Sequence, residues 1–314
     1  MNQHDLPQLA GRIFLTDGGI ETTLMFIDGF ELQQFACYPL LRSERGREAL
    51  QRYYDSYLAI AASDGRGIVL QAPTWRASSR WGDLLGHSVS DLAELNRDGV
   101  AMVRMATAKT QDKGAPAAVV SGCVGPAGDG YVANGAMTSD AARRYHAPQI
   151  DVLADEGVEM VSALTMNYVE EALGVALAAR DAAIPVGLSF TVETDGRLPT
   201  GMRLQDAIAA VDELTEGYPT YYGINCAHPS HFIDELAPEE AWLSRVGEIR
   251  ANASALSHAE LDEAPDLDRG DIPALAADYV RLSGVLPRLA VVGGCCGTDA
   301  EHIAAISTAL YSSS

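Results

Sequence analysis

The amino-acid sequence predicts a (β/α)8 barrel, in which eight parallel strands form a closed ring inside a layer of helices. Two observations support this fold class. Eight short apolar runs alternate with longer segments of helical periodicity, and each run is hydrophobic almost throughout, as in strands that are buried on both faces. No low-complexity linker interrupts the chain, so we expect one barrel domain over residues 1–314. An open, doubly wound sheet is the other architecture compatible with this alternation.

The predicted strands and helices alternate over most of the chain. The strands are Ile13–Asp17, Gly67–Gln71, Ala117–Gly122, Glu159–Leu164, Pro185–Thr191, Tyr221–Asn225, Val246–Asn252 and Leu289–Gly293. The predicted helices, of which the first two are the clearest, are Glu44–Ala62, Asp91–Lys109, Ser139–Glu156, Val169–Ala182, Leu204–Thr215, Ile272–Leu282 and Asp299–Leu310. Ser139 and Asp140 are typical helix N-cap residues. Prolines interrupt the segment after Cys226, and residues 253–270 form an acidic insertion.

The composition excludes several classes of partner. The chain has 43 acidic and 22 basic residues and a net charge of −21, whereas nucleic acids and anionic membranes are bound by positively charged surfaces. No apolar run approaches the roughly 20 residues that cross a bilayer, and the N-terminus lacks the basic and apolar regions of a secretory signal. Five cysteines, an odd number at low density, do not indicate a disulfide framework. We therefore expect a cytoplasmic protein that acts on small molecules, and a homo-oligomer is compatible with the sequence.

Three of the cysteines lie where predicted strands end. Cys226 follows the sixth strand, and Cys295 and Cys296 follow the eighth. The carboxyl ends of all strands meet on one rim of a barrel, where barrel enzymes place their active sites. Only the seventh strand separates these two strand ends, so the three thiolates can converge on one zinc ion. Three protein ligands leave the fourth position of zinc open, as in catalytic zinc sites.

Glycines surround the cysteine pair, because residues 293–298 read Gly-Gly-Cys-Cys-Gly-Thr. Glycine tolerates backbone conformations that other residues avoid, which suits two adjacent sulfurs that must point the same way. A vicinal disulfide between Cys295 and Cys296 is an alternative interpretation of the pair. Cys37 and Cys123 have no such spacing, and we expect them to be small buried residues.

These motifs together resemble the homocysteine S-methyltransferase family, which includes betaine-, S-methylmethionine- and methylfolate-dependent enzymes. The resemblance rests on residues 223–226 (Gly-Ile-Asn-Cys), on the Gly-Gly-Cys-Cys-Gly-Thr motif and on residues 15–19 (Leu-Thr-Asp-Gly-Gly). It extends over nearly the whole chain, and the further matching stretches are Ser121–Pro126, Leu188–Thr191 and Asn252–Ser254. The two cysteine motifs are the specific part, since Asp-Gly-Gly alone is common.

The resemblance implies a zinc-dependent S-methyltransferase. Cys226, Cys295 and Cys296 are then the ligands of Zn²⁺, and the acceptor, homocysteine or a related thiol or selenol, takes the fourth position as a thiolate. That thiolate attacks a methyl group on a small sulfonium or ammonium donor, so the activated group is the substrate's own and no further catalytic side chain is expected. Cobalamin-using members carry further modules, for which 314 residues leave no room. No phosphate-binding glycine loop indicates a nucleotide cofactor.

The resemblance also implies substrate-binding residues around the zinc. Asp17 is expected to hold the amino group of homocysteine, although an aspartate before two glycines can also cap the following helix. Asn225 is expected to orient Cys226 by hydrogen bonding, and aromatic rings are expected to face a cationic donor. The candidate substrate-binding residues are Asp17, Gly18, Gly19, Trp75, Thr165, Asn167, Asn252 and Ser254, with Tyr131 as a second aromatic.

One position departs from the family pattern. After the fourth strand the family usually carries Glu-Thr, whose glutamate also holds the substrate ammonium, and this chain has Leu164 and Thr165. A charge-assisted hydrogen bond of this kind is worth about 1.5–3 kcal/mol. Three interpretations stay open: Asn167, Glu170 or Glu193 replaces the glutamate; the acceptor lacks an α-ammonium; or the protein is a non-catalytic zinc-binding barrel. A vicinal-dithiol redox protein is a further class of function that the cysteines allow.

Overall fold

A closed barrel of eight parallel strands forms the centre of the molecule. The computed structural model describes residues 5–111, 116–133, 136–236, 240–264 and 266–312. Each strand pairs with the next, and the first pairs with the last. The strands are β1 (Phe14–Leu15), β2 (Ile68–Gln71), β3 (Ala118–Val124), β4 (Met160–Met166), β5 (Val186–Phe190), β6 (Tyr221–Asn225), β7 (Val246–Ala251) and β8 (Val291–Gly294). The predicted (β/α)8 barrel is confirmed, and the open-sheet alternative is wrong.

The strands form where apolar residues exclude water from both faces of the sheet. Residues of β4, β5 and β7 are buried without exception, as expected for a parallel sheet covered by helices. β3 and β4 run two residues beyond their predicted ends, to Val124 and Met166. Cys123 and Thr165 therefore belong to strands and not to the loops that follow them.

Helices cover the outside of the barrel. The α-helices of more than three residues are Glu44–Ser63, Ser79–Leu85, Val89–Gln111, Ser139–Asp155, Val169–Asp181, Leu204–Thr215, His258–Glu263, Ile272–Val285 and Ala300–Ser312. A short helix, Ile20–Thr22, follows β1. Thr138, and not the predicted Ser139 or Asp140, caps the helix before β4, because its hydroxyl accepts a hydrogen bond from Ala141 N at 3.3 Å. In the described part of the chain, none of the helices combines the length and apolar character that a bilayer span requires.

The two irregular regions predicted from the sequence lie after β6 and β7. After β6 the described residues, 226–236 and 240–245, form 3-10 turns and no α-helix. The first of these turns begins at Pro229, which has no backbone N–H to donate. The acidic insertion after β7 contains the helix His258–Glu263, which begins with a capping box. Ser257 and Glu260 form this box, in which each side chain accepts from the other residue's backbone N–H. Both segments therefore bring irregular backbone to the rim that carries the cysteines.

The barrel interior changes from apolar to polar along its axis. At the amino ends of the strands an apolar cluster fills the interior, and it consists of Leu6, Phe14, Val69, Val119, Met160, Tyr221, Ala290 and Val291. Nearer the carboxyl ends, polar groups replace it: the hydroxyls of Ser121 and Ser162 are 2.8 Å apart, and Arg250 donates to Gln71 Oε1 at 2.6 Å. Buried polar groups need partners, and these pairs form a polar floor beneath the rim.

Candidate metal centre

Three cysteine sulfurs converge at the carboxyl-end rim of the barrel. Cys226 follows β6, Cys295 and Cys296 follow β8, and the three Sγ atoms all lie within 4.8 Å of one another. The sulfurs of Cys226 and Cys295 are joined as a disulfide, with their Cα atoms 5.4 Å apart, and Cys296 is a free thiol. The bonded pair is therefore not the vicinal pair. The same sulfurs can serve as metal ligands only when that bond is reduced.

β7 sets the spacing between the two cysteine loops. Cys226 N donates to Arg250 O at 3.1 Å, and Cys295 N donates to Ala251 O at 2.8 Å. Beyond the end of the strand, Ala253 N donates to Cys296 O at 3.0 Å. All three cysteines are thus tied through their backbones to one strand and its extension, so their convergence follows from the barrel topology.

The glycines near the pair are required mainly for space. Gly297 has a left-handed φ of +80°, which favours glycine. Gly293 has no such φ, but a Cβ added there would lie 2.7 Å from Asp17 O. On the neighbouring β1 side, a Cβ at Gly19 would lie 2.5 Å from Cys295 O. The Asp-Gly-Gly and Gly-Gly-Cys-Cys-Gly motifs are therefore in close backbone contact, and larger residues would separate the two loops.

Asn225 connects two of the sulfurs to β4. Its Nδ2 donates to Cys226 Sγ at 3.2 Å and lies 3.9 Å from Cys295 Sγ, while its Oδ1 accepts from Thr165 N at 2.8 Å. Thr165 and Cys226 both have left-handed φ values, +63° and +55°, which are uncommon for residues other than glycine. Hydrogen bonds to sulfur favour its charged form. This geometry supports an orienting role for Asn225, which stays a prediction.

The donor set suits a thiophilic metal ion such as zinc. Thiolate sulfur is a preferred ligand of Zn²⁺, and three such ligands leave one open position. Burial raises the pKa of the Cys296 thiol to about 11, so the metal-free thiol is protonated at neutral pH, and metal binding must release that proton. Cys37 and Cys123 are buried free thiols outside the cluster, as expected from the sequence.

A cavity of about 490 Å³ opens against the three cysteines. Its walls are formed largely by apolar and aromatic side chains, and it is bounded on the solvent side by four exposed aspartates, Asp129, Asp262, Asp266 and Asp268. Besides the cysteines, seven residues singled out in the sequence line it: Asp17, Trp75, Tyr131, Leu164, Thr165, Asn225 and Ser254. A largely apolar cavity with a few polar groups is typical of small-molecule sites.

Four of the predicted substrate-binding residues do not line this cavity but support its walls. Asn252 Nδ2 donates to Cys226 O at 3.0 Å, and Asn167 Nδ2 donates to Asp129 O at 2.9 Å. Gly18, like Gly19, packs beneath the loop of residues 293–298. These contacts fix the positions of cavity-lining segments, and a direct contact with substrate stays a prediction for all four.

Asp17 is already paired with a cation inside the barrel. Arg250 Nη2 donates to Asp17 Oδ1 at 2.6 Å, and the two side chains are only 5% and 4% exposed. Arg250 Nη1 donates to Thr16 Oγ1 and to Gln71 Oε1, each at 2.6 Å. Burial alone would lower the pKa of Arg250, but the charges of Asp17 and Glu248 raise it above its usual value. The carboxylate expected to hold a substrate ammonium is therefore already paired with a buried cation at one of its two oxygens.

Leu164 faces the cavity at the position where the family pattern has glutamate. The residues considered as replacements for this glutamate are Asn167, Glu170 and Glu193. None of the three is among the described residues that line the cavity. Glu193 instead lies 3.2 Å from His258 Nδ1. The wall formed by Leu164 thus presents hydrocarbon to the substrate and no carboxylate.

Arg76 is one of the cavity residues that the sequence analysis missed. Its guanidinium lies between two indoles, with Cζ 4.4 Å from the centroid of Trp75 and 3.6 Å from that of Trp81. Its Nε and Nη1 atoms are buried and have no hydrogen-bond partner among the described residues. Burial lowers the pKa of Arg76, and Glu21 opposes that shift. The signal in the sequence was an arginine beside a tryptophan directly after a predicted strand.

The two aromatic residues expected to face a cationic donor have other contacts. The Trp75 ring is covered on one side by Arg76, and its Nε1 donates to Leu164 O at 3.4 Å. Tyr131 stacks on His258 with ring centroids 3.9 Å apart, and its hydroxyl lies 3.8 Å from Cys296 Sγ. Both rings still line the cavity, so their contact with a donor stays a prediction.

Comparisons with known proteins agree with this geometry. A homocysteine S-methyltransferase from Escherichia coli is 29% identical over 200 residues, which are 60% of this chain and 61% of that enzyme, so the match spans less than two thirds of its length. Homocysteine S-methyltransferase 4 from Zea mays is 24% identical over 96% of this chain and 90% of its own length.

Among solved structures, the oxidized and metallated forms of the homocysteine methyltransferase MmuM from E. coli share the fold. Their TM-scores are 0.78 and 0.76, at 20% and 19% identity, and each comparison covers 98% of this chain and 99% of the other. The family model described as homocysteine S-methyltransferase matches residues 14–310. The chain therefore belongs to the homocysteine S-methyltransferase family, a family of methyltransferase enzymes.

Proposed function

We propose that this protein is a zinc-dependent S-methyltransferase that moves a methyl group from a small sulfonium or ammonium donor to a thiol acceptor. The observation that carries the proposal is the convergence of three cysteine sulfurs within 4.8 Å on the wall of a cavity of about 490 Å³. Membership of the homocysteine S-methyltransferase family supports the reaction class. We also infer a reducing, cytoplasmic environment, since the three sulfurs bind metal only as thiolates.

Cys226, Cys295 and Cys296 are the residues that would hold the zinc. When bound, zinc would keep the thiol of the acceptor deprotonated at neutral pH, and the sulfur of the acceptor would stay electron-rich. Three thiolates around Zn²⁺ leave the site with a net charge of −1, which favours an electron-rich fourth sulfur. No side-chain base is then required for the methyl transfer itself.

The remaining residues position the reactants and exclude water. Asn225 donates to Cys226 Sγ and holds Thr165, so the sulfur nearest β4 has a fixed orientation. The apolar walls remove water from the acceptor sulfur, and alignment of two bound reactants replaces a bimolecular encounter. These residues therefore supply orientation and desolvation.

The four exposed aspartates at the solvent side of the cavity favour a cationic donor. Asp129, Asp262, Asp266 and Asp268 add negative potential where a donor must enter, and a charged cleft raises the local concentration of an oppositely charged substrate. The attraction weakens with salt, because exposed charges are screened within about 8 Å at physiological ionic strength.

The test is a methyl-transfer assay with reduced, zinc-loaded protein. S-Methylmethionine, S-adenosylmethionine and betaine are each offered as donor against a panel of small thiols, and methylated products are detected by mass spectrometry. We expect transfer from at least one donor, and the same assay with Cys296→Ala serves as the control for zinc. Silence across the whole panel at one zinc per chain would favour a non-catalytic barrel instead.

A further inference from the structure

We propose that Arg76 binds the carboxylate of the thiol acceptor, and that the acceptor is an anionic thiol without an α-ammonium group. The inference rests on the proposed function in one respect, since only a methyltransferase has a thiol acceptor. The preference for a ligand with a carboxylate and no ammonium group follows from the cavity itself. Three features carry it: a guanidinium without a partner, a carboxylate that already has one, and an apolar wall.

Arg76 is prepared to bind an anion. Its guanidinium is held between Trp75 and Trp81, at 4.4 and 3.6 Å from the ring centroids, so its orientation is fixed before a ligand arrives. Two of its nitrogens, Nε and Nη1, lack hydrogen-bond partners among the described residues and are shielded by the surrounding side chains, so a ligand in the cavity approaches the guanidinium from its Nη2 side. An arginine cannot lose its charge in a protein, and buried donors without partners destabilise the folded state. A carboxylate bound in the cavity would pair with the positive charge of this guanidinium through a charge-assisted hydrogen bond.

Neither of the two positions at which the family pattern has an ammonium-binding carboxylate offers an unpaired one. Asp17 is paired with Arg250 at 2.6 Å, and Leu164 contributes only hydrocarbon. A substrate ammonium would have to compete with a buried guanidinium for Asp17, and removing that partner leaves a buried charge uncompensated. The inner cavity therefore discriminates against α-ammonium groups and favours thiols that carry a carboxylate alone.

Glu21 is the other carboxylate inside the cavity, and an acceptor with an α-ammonium group would have to bind to it. It lines the cavity, and its Oε1 accepts from Cys37 Sγ at 3.1 Å. Burial raises the pKa of Glu21, while Cys37 and Arg76 oppose the shift. The side chain thus already has a donor and is less readily ionised than an exposed glutamate. The four rim aspartates are exposed, so water screens their charges from a ligand held at Arg76.

Binding of thioethers tests the charge preference without requiring turnover. Three ligands have the same chain length: L-methionine carries both charges, 4-(methylsulfanyl)butanoate lacks the ammonium, and 3-(methylsulfanyl)propylamine lacks the carboxylate. We expect isothermal titration with reduced, zinc-loaded protein to show the butanoate binding about 10–100-fold more tightly than the amine, the range of a charge-assisted hydrogen bond. We also expect methionine to gain nothing over the butanoate. Equal binding of the amine, or methionine binding more than about 10-fold more tightly than the butanoate, overturns the inference.

Variants assign the preference to Arg76. Arg76→Gln is expected to weaken the butanoate about 10–100-fold and to leave the neutral methyl propyl sulfide unchanged, and Arg76→Lys is expected to restore part of the loss. Arg80→Gln is the matched control, because Arg80 lies exposed in the same segment. Glu21→Gln should not weaken the butanoate. If Glu21→Gln selectively abolishes methionine binding, or Arg76→Gln weakens the neutral sulfide equally, the inference fails.

Kinetics with the corresponding thiols separate this inference from the proposed function. We expect 4-mercaptobutanoate to have a higher kcat/KM than L-homocysteine, and 3-mercaptopropylamine to be the poorest acceptor. Turnover that favours L-homocysteine or the amine overturns the ligand class but leaves the methyltransferase intact. Absence of turnover with the predicted order of thioether binding overturns the methyltransferase but leaves Arg76 as a carboxylate-binding residue.

Discussion

Two walls of one cavity differ in how far they follow the family pattern. The sulfur wall consists of Cys226, Cys295 and Cys296, with Asn225 behind them, and every element expected there is present at short range. The recognition wall, named for the role proposed above, consists of Asp17, Leu164 and Arg76: Asp17 is paired with Arg250, leucine stands where the family pattern has glutamate, and Arg76 adds a cation. In the proposed function, activation of the thiol and recognition of its substituents therefore depend on different residues of the cavity.

The largest effect, on both bound zinc and methyl transfer, is expected when a cysteine of the sulfur wall is substituted. Cys226→Ala, Cys295→Ala and Cys296→Ala should each reduce bound zinc to background and lower methyl transfer by more than about 100-fold, because even residues that only support a ligand are worth about 10–100-fold. Zinc per chain, measured by mass spectrometry of the metal, and the transfer rate are the two readouts.

Cys123→Ala is the matched control for these variants, since Cys123 lines the same cavity but lies outside the cluster. It should keep both zinc and activity. Retention of zinc and activity in any one of the three ligand variants would show that the cluster does not act as a unit.

The next effect concerns the recognition wall. Arg250→Met leaves Asp17 buried without its partner and should lower the free energy of unfolding by about 3–5 kcal/mol, measured by denaturant titration. Arg203→Met removes an exposed pair with Asp206 and should cause no measurable loss. Similar stabilities of the two variants would contradict the assignment of Arg250 as the fixed partner of Asp17.

A smaller effect appears as a pH dependence of stability. Burial raises the pKa of Glu248 to about 7, and Arg250 opposes the shift, whereas the usual value is about 4.3. The folded protein therefore holds this proton more tightly than the unfolded chain. The corresponding stability is complete below about pH 4 and is lost as the pH rises through about 7.

Glu248→Gln should remove this dependence. At pH 8 the variant should be more stable than the wild type by up to about 4 kcal/mol, at about 1.4 kcal/mol for each unit of pKa shift, and at pH 4 the two should agree closely. Thermal unfolding across this range measures the difference. An unchanged pH profile would show that Glu248 stays ionised in the fold, held by Arg250.

The smallest effect is expected on the zinc affinity of the sulfur wall when Asn225 is substituted. Asn225→Ala removes the amide donor at 3.2 Å from Cys226 Sγ and should weaken zinc binding about 10–100-fold, measured by competition with a chelator. Asn96→Ala is the control, because Asn96 is also a buried amide that donates to two carbonyls, far along the chain from the sulfurs. Equal zinc affinities in the two variants would reduce Asn225 to a structural support for Thr165.

The sulfur wall could be predicted from the sequence, and the recognition wall could be predicted only in part. Apolar runs place the strand ends, and the topology of a closed barrel then brings Cys226 and Cys295 together. The pairing of Asp17 with Arg250 joins residues 233 positions apart and depends on where a long side chain extends inside the barrel. The sequence analysis did not single out Glu248 and Arg250, two charged residues at alternate positions of an otherwise apolar strand, and their presence alone does not identify a partner.

Zinc K-edge X-ray absorption of the reduced protein tests the two-wall account most directly. Without ligand we expect one zinc per chain with three sulfur neighbours at about 2.3 Å, and with 4-mercaptobutanoate a fourth sulfur. With 3-mercaptopropylamine at the same concentration the sulfur count should stay near three. Zinc with fewer than three protein sulfurs would contradict the sulfur wall, and a fourth sulfur from the amine as readily as from the carboxylate would contradict the recognition wall.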